Sequence, residues 1–563
     1  MEYAILAVAL GILLILLFLK GLLDYRQDQK RFRMRLHTDY GKKQEREYRP
    51  EWSGHVSRYA EKHKGSFPID EITWGDLNMD EVFKQMNYTY SSAGEEYLYY
   101  LLRNPQLKED FLLHMEDVIQ YFDEHQKERE ESQFIYAGLG KIGKFSIYDY
   151  LDYLDDLGER KNTRHFAALG LMLLSVGVMF FQFTIGILCL IAVIIYNNMT
   201  YFRIKKEIEP YITSFAYIFR LLDIYPELKK QRTECLKKEF EELDQAYHQL
   251  DGFKRGSGIV MTGTRAGGSG SPLDMLMDFV RMGFHVDLIK FNQMLGEVRK
   301  HRDAVDRILT HYGFMEACIA VGEYRAFLGK EWCIPSFQEE KKIGMVNGYH
   351  PLLTDPVKNT FQTSKGLLIT GSNASGKSTF LRTVAINAIL AQSIHTCLAD
   401  RFTTSFYRIC SSMSLKDDVL HGESYYMAEI KSIKRILDVI AAREETKVLC
   451  FADEVLRGTN TIERIAASSQ ILKSLNTPDS MCFVATHDIE LTGLLEKQYE
   501  NYHFMEEIHE NDVIFSYQLL PGKATTRNAI QLLSVMGYQQ DIIRKAEKMA
   551  ADFVQNSRWQ MLD

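Results

Sequence analysis

The sequence predicts an α/β domain on a mostly parallel sheet at its C-terminal end, preceded by an all-α region and by transmembrane helices. Three observations predict it. Beyond Trp332, short β-rich runs alternate with helical ones. Upstream, apolar residues recur at helical spacing, as in Tyr97, Leu98, Leu101 and Leu102, with only 11 prolines in the whole chain. Two stretches are apolar enough to enter a bilayer. At 563 residues the chain exceeds one core, since domains run to roughly 100–200 residues. A composition of 46% hydrophobic and 25% charged residues excludes a disordered or collagen-like polymer. The net charge of −8 excludes a global basic field, so any nucleic-acid contact would come from a local patch. Eight cysteines form no CxxC spacing, which points to thiols in a reducing compartment rather than to disulfides or zinc.

The first membrane stretch is Tyr3 to Leu19, extending to Leu23 if Lys20 snorkels, close to the ~20 residues that cross a bilayer. It has no basic n-region, so a removed signal peptide is the weaker reading. Arg26, Lys30, Arg31, Arg33 and Arg35 follow, which by the positive-inside rule puts the N-terminus outside and the rest in the cytoplasm. The second stretch, Phe166 to Tyr196, carries no formal charge and is long for one tilted helix. Broken near Gln182–Thr184, it makes a hairpin of two spans whose halves are each about 15 residues. Lys161 and Arg164 flank one end, and Arg203, Lys205 and Lys206 the other. Three spans in all are expected. A buried helical hairpin in a soluble domain is the bland alternative.

Between Asp251 and Pro272 lie seven glycines, and the only charges between Asp251 and Asp274 are Lys254, Arg255 and Arg265. A flexible basic loop between long helices could touch a phosphate backbone; a solvated hinge is the competing reading.

The chemistry sits in the last third. Gly366 to Thr370 reads as a short buried strand. It runs into Gly371-Ser372-Asn373-Ala374-Ser375-Gly376-Lys377-Ser378-Thr379 and then a helical stretch from Phe380 to Gln392. This is GxxxxGK[ST] in its strand–loop–helix setting. The glycines let backbone N–H groups wrap phosphates at a helix N-terminus, Lys377 reaches the β and γ oxygens, and the Ser378 hydroxyl binds Mg²⁺. Lys447 to Glu454 is an apolar strand ending in two acids: Asp453 suits a water-mediated Mg²⁺ contact and Glu454 the polarising of an attacking water. A third strand from Met481 ends in Thr486-His487, at the edge where open α/β sheets bind ligand, and His487 suits a γ-phosphate sensor.

These residues resemble the MutS family. The likeness covers about 330–550 and rests on Thr370 to Thr379, on Asp453-Glu454 followed by Arg457-Gly-Thr-Asn-Thr461, and on Ala485-Thr-His487. Gly348-Tyr-His-Pro351 and Asp418 to Glu429 also match, the latter resembling the family's signature segment. Less specifically, Asp70 to Leu102 looks like the start of the family's helical core and lever. The resemblance implies an α/β P-loop (ABC-type) ATPase domain and a homodimer with two composite ATP sites. Asn373, Lys377 and Ser378 would act in cis with Asp453, Glu454 and His487, while Ser424 would come from the partner. Together with the membrane stretches it gives an expected division into an anchor (1–25), a basic stalk (26–69), two lever parts (70–160 and 204–330), a transmembrane hairpin (161–203) and the ATPase domain (331–563), whose Gly537–Phe553 segment would make dimer contacts.

The departures from the family are expected to matter. No counterpart of the mismatch-sensing domain or its Phe-x-Glu wedge precedes residue 70, and only the glycine loop stands where a clamp would be. The function expected is therefore a membrane-anchored ATPase acting on DNA, though not as an ordinary mismatch sensor. The alternative is an ATP-driven membrane machine that pulls on a protein or lipid partner. A transporter half fits least, since three thin spans give no translocation path and His421-Gly-Glu-Ser424 is not an LSGGQ-like run.

Overall fold

The computed structural model describes residues 2–563 apart from 44–45, 49–51, 143–144, 256–281, 373–374, 414–424, 510–511, 525–529, 531–532, 534–536, 557–558, 560 and 562–563. For 2–18, 22, 52–53, 155–156, 210, 213–214, 425, 507–509, 512–514 and 554 it describes the backbone alone. The chain forms two units. One holds Met1–His63, Asn87–Tyr100 and Asp117–Phe327; the other holds Lys64–Met86, Leu101–Glu116 and Leu328–Asp563.

The first unit is helical. Helix α1 (Glu2–Thr38) carries the N-terminal apolar stretch straight into the basic one; the side chains of the expected first span lie outside the described residues. Two basic groups near its end are paired, Arg33 with Glu131 and His37 with Glu130. The second apolar stretch is the helix pair α2 (Thr163–Phe181) and α3 (Phe183–Leu228), broken at Gln182. The helices extend beyond the uncharged run at both ends. The membrane-length segments are therefore 19 residues (Thr163–Phe181) and 27 residues (Phe183–Glu209), not about 15 each. They are the two described helices long and apolar enough to cross a membrane, and little of either is buried. Leu173, Phe180 and Phe181 stand 72%, 86% and 92% exposed. Past residue 210 the same helix α3 turns apolar on one face. Phe215, Ile218, Leu222 and Tyr225 recur at helical spacing and are buried with Phe240, Phe291 and Tyr312.

The second unit has two sheets. The smaller, in the order β1-β5-β2-β3, joins Ser336–Phe337, Arg401–Thr404, Ile343–Gly348 and Asn359–Thr363. The larger runs β10-β9-β4-β8-β7-β6, with β4 Gly366–Thr370, β6 Tyr407–Ser412, β7 Lys447–Asp453, β8 Ser480–Thr486, β9 Tyr499–His509 and β10 Asp512–Pro521. All its neighbours are parallel except β9 and β10. Strands β4, β7 and β8 read as continuous apolar runs because helices cover the sheet: α4 (Lys377–Ile394), α5 (Tyr425–Ala441) and α6 (Thr461–Leu475). The short Glu71–Asp76 helix, from the far end of the chain, docks at the end of β6. Its Asp76 carboxylate accepts from Ser411 Oγ at 2.6 Å and from the Met413 N–H at 2.8 Å. The boundary thus falls differently from the sequence expectation, which kept 70–160 in one helical region.

Candidate functional site

Strand register assembles the site. In the parallel ladder Thr370 lies opposite Thr486 and Asp453 opposite Ala485. The loops leaving the C-terminal ends of β4, β7 and β8 must therefore emerge side by side, which is where a doubly wound sheet binds ligand.

Gly371 has φ 151° and Gly376 φ 103°, and the first could not carry a side chain. A Cβ there would lie 2.9 Å from Ser375 Oγ and 3.0 Å from the Phe504 carbonyl oxygen. From the first turn of α4, Lys377 donates to the Gly371 and Ser372 carbonyls at 2.8 and 2.6 Å. Burial lowers its pKa, against the pull of Asp453, Glu454 and Glu506. Ser378 Oγ donates to Asp453 Oδ2 at 2.5 Å, which ties the loop to the end of β7. Burial raises the Asp453 pKa, opposed by that hydrogen bond.

Beside it, Glu454 is bound through both oxygens. His487 Nε2 lies 2.5 Å from one and Arg457 Nε 2.9 Å from the other. The hydrogen bond from His487 is the main cause of a Glu454 pKa below the usual carboxylate range.

A cavity of about 520 Å³ opens beside the loop. Ser375, Lys377, Ser378 and Glu454 line its polar end, and His350, Val357, Phe504 and Tyr517 are among those lining the rest. Burial pushes the His350 pKa down to about 4, with Arg382 adding repulsion. The hydroxyls of Ser372 and Ser375 are buried without a protein partner. A strand-end loop of N–H groups, a lysine, two orphan hydroxyls and a Ser–Asp pair form a donor set suited to a phosphate chain with a divalent cation.

The structure thus brings together Gly371, Ser372, Ser375, Gly376, Lys377, Ser378, Thr379, Asp453, Glu454 and His487. Asn373, Ala374, Ser424 and Arg265 lie outside the described residues. Of the other basic-loop residues, Lys254 donates to Tyr247 Oη at 2.7 Å, and Lys254 and Arg255 end a short helix, Asp251–Lys254. Three residues of the site were given no role from sequence. Arg457 clamps Glu454, Tyr517 lines the cavity from β10, and Glu429 accepts from the backbone beyond Glu454. Glu429 had a signal: it is an acid on the stripe of Tyr426, Ile433 and Ile436, where α5 is otherwise apolar.

Comparison with known proteins shows what the domain carrying this site resembles. Residues 367–554 match the family model described as MutS domain V. The chain is 30% identical over 239 residues to the DNA mismatch repair protein MutS of Halothermothrix orenii, covering 40% of this chain and 26% of that one. It is 31% identical over 233 residues to the MutS of a Roseiflexus species, covering 39% and 21%. Against the MutS of Thermus thermophilus it is 29% identical over 220 residues, covering 38% and 26%. Over this C-terminal region the chain is similar to MutS domain V and to the corresponding part of MutS proteins. It spans about a quarter of the length of these relatives.

Proposed function

We propose that the chain is a membrane-anchored MutS-like ATPase. It binds and hydrolyses Mg-ATP at composite sites of a homodimer and acts on DNA in a repair- or recombination-related role other than mismatch sensing. The observation that carries this reading is the convergence of three strand ends: Lys377 and Ser378 after β4 and Glu454 after β7 line one cavity, Asp453 at the end of β7 accepts from Ser378, and His487 after β8 contacts Glu454. The orphan hydroxyls of Ser372 and Ser375 and the glycine cradle fit a triphosphate.

Mg-ATP, when bound, would supply a phosphoanhydride and a divalent cation able to act as a Lewis acid on it. The chain's residues then divide the work. Lys377 would neutralise the β and γ oxygens, and Ser378 with Asp453 would hold the cation. Glu454 takes the proton of the attacking water, its carboxylate aimed by His487 and Arg457. Asn373 acts in cis, and Ser424 arrives from the other protomer. Helix α2 and the Phe183–Glu209 part of α3 lie in the bilayer with the start of α1 as a third span, the N-terminus outside and the ATPase domain in the cytoplasm. The exposed apolar surfaces of α2 and of the first part of α3 support this placement.

DNA is favoured over a protein or lipid partner because the similar proteins are DNA mismatch repair proteins by name. Lys254, Arg255 and Arg265 are its proposed contacts. The test is Mg-ATP turnover by the full chain in nanodiscs, with and without homoduplex, mismatched and single-stranded DNA. Absent turnover ends the ATPase reading. No duplex binding at about 50 mM salt, where phosphate contacts are strong, transfers the function to the protein or lipid alternative.

A further inference from the structure

The turn after β7 is built from residues that resist it. Glu454 has φ 55° and Leu456 φ 61°, a left-handed conformation that side chains bearing a Cβ adopt only when something holds them there. Three groups hold this turn, one of them Ser468 Oγ, which donates to the Val455 carbonyl at 3.0 Å. The Glu454 N–H donates to the Ala485 carbonyl at 2.9 Å, which fixes its start to β8. From the opposite side Glu429, on α5, accepts from the Leu456 N–H through Oε1 and, at the longer distance of 3.4 Å, from the Arg457 N–H.

Glu429 is a costly residue to keep there. It is 4% exposed, its Oε2 is buried without a partner, and burial raises its pKa. Nothing in the helix itself needs an acid at that position. Helix α5 is in turn anchored, because Arg435 pairs with Asp70 and donates to the Ser411 carbonyl at 2.5 Å. Tyr426, one turn before Glu429, backs Gly458 at the far end of the same turn.

We infer that Glu429 is a positioning residue, whose carboxylate holds the strained Leu456 backbone and the Arg457 N–H after it and thereby fixes Glu454, in the wall of the cavity, together with its clamp Arg457. The consequence for turnover rests on the ATPase reading above; the holding of the turn does not. Only an acceptor of the right reach is needed. Gln should replace Glu429, whereas Ala offers no acceptor and Asp falls one methylene short.

The test uses the full chain in nanodiscs. In nucleotide-free protein, hydrogen exchange at the Leu456 and Arg457 amides should quicken about tenfold in E429A and E429D, the loss of one hydrogen bond to a charged acceptor, and stay near wild type in E429Q. The β7 amides of Val448 to Phe451 should stay protected in all three. With Mg-ATP, E429A should lose at least about tenfold in kcat while KM moves little, and E429Q should restore most of it. Unchanged exchange in E429A, exchange in E429Q as fast as in E429A, or β7 opening together with the turn would each overturn the inference. A KM that rises in step with the fall in kcat would do so too. If wild type turns over no ATP, the ATPase reading fails by itself, and the exchange measurements still decide what Glu429 holds.

Discussion

Ser378 and Asp453 meet although 75 positions separate them, and the hydrogen bond between them joins the two halves of the proposed metal-binding pair. Both were legible as residue types at strand ends, since only a few side chains suit a phosphate-bound cation. Their neighbours at Glu454 were less so. An arginine three positions on can point anywhere, and only the left-handed turn brings Arg457 Nε within 2.9 Å of the carboxylate. Glu454→Gln should slow turnover by about 10²-fold or more while leaving ATP bound, as loss of a general base does, measured as single-turnover hydrolysis. The lowered Glu454 pKa makes it ionised to lower pH than an ordinary glutamate. The acidic limb of the kcat profile should therefore lie below the usual carboxylate range, and His487→Ala should move it upward.

His350 yields a stability prediction of definite sign. Its folded pKa of about 4 lies below the ordinary 6.5, so the unfolded chain binds the extra proton first. The stability this contributes is present above about pH 6.5 and is lost as the pH falls towards 4, by at most about 3 kcal/mol. His350→Gln should flatten that part of a plot of Tm against pH.

At the scale of elements, the hairpin was legible because a run free of charge was too long for one crossing, and a polar pair marked its break. Its true reach was not, because residues flanking the apolar run, such as Thr163 and Arg203, continue the helices without adding to the apolar signal. The tip is tight. A Cβ at Gly186 would fall 2.4 Å from the Met179 backbone nitrogen and 2.6 Å from its Cα, neither of which can swing aside. Gly186→Ala should force α2 and α3 apart at a cost of about 1–3 kcal/mol, read as a lower Tm in detergent and faster proteolysis near Gln182. The docking of the Glu71–Asp76 helix was illegible for a different reason. Six residues carry little periodicity, and the partner of Asp76 is 335 positions away. Asp76→Ala strands the Ser411 hydroxyl and the Met413 N–H and should cost about 1–3 kcal/mol, whereas Asp76→Asn keeps an acceptor and should cost much less. Thermal unfolding of the two variants side by side measures the difference.

For the whole molecule the sequence separated a helical part from an α/β part but not the way the chain threads them. It leaves the first unit after His63, returns at Asn87, leaves again after Tyr100 and returns at Asp117. Local patterning reports helix or strand, and cannot report which unit a helix completes. The arrangement has a consequence for assembly. If each ATP site needs Ser424 from a second copy, turnover per chain cannot be a property of one molecule. At fixed saturating Mg-ATP the specific activity should rise with protein concentration and then level off as dimers saturate. Glu454→Gln protein, which retains ATP, should form the dimer at lower concentration than wild type. Mixing wild type with Ser424→Ala chains sharpens the test. In a mixed dimer the wild-type protomer supplies its own Lys377, Asp453 and Glu454 but receives no hydroxyl, while the variant's site receives one. One active site per mixed dimer is then expected. The activity of a mixture should fall in direct proportion to the fraction of Ser424→Ala chains. A specific activity independent of concentration, or full activity from Ser424→Ala alone, would place the complete site within a single chain.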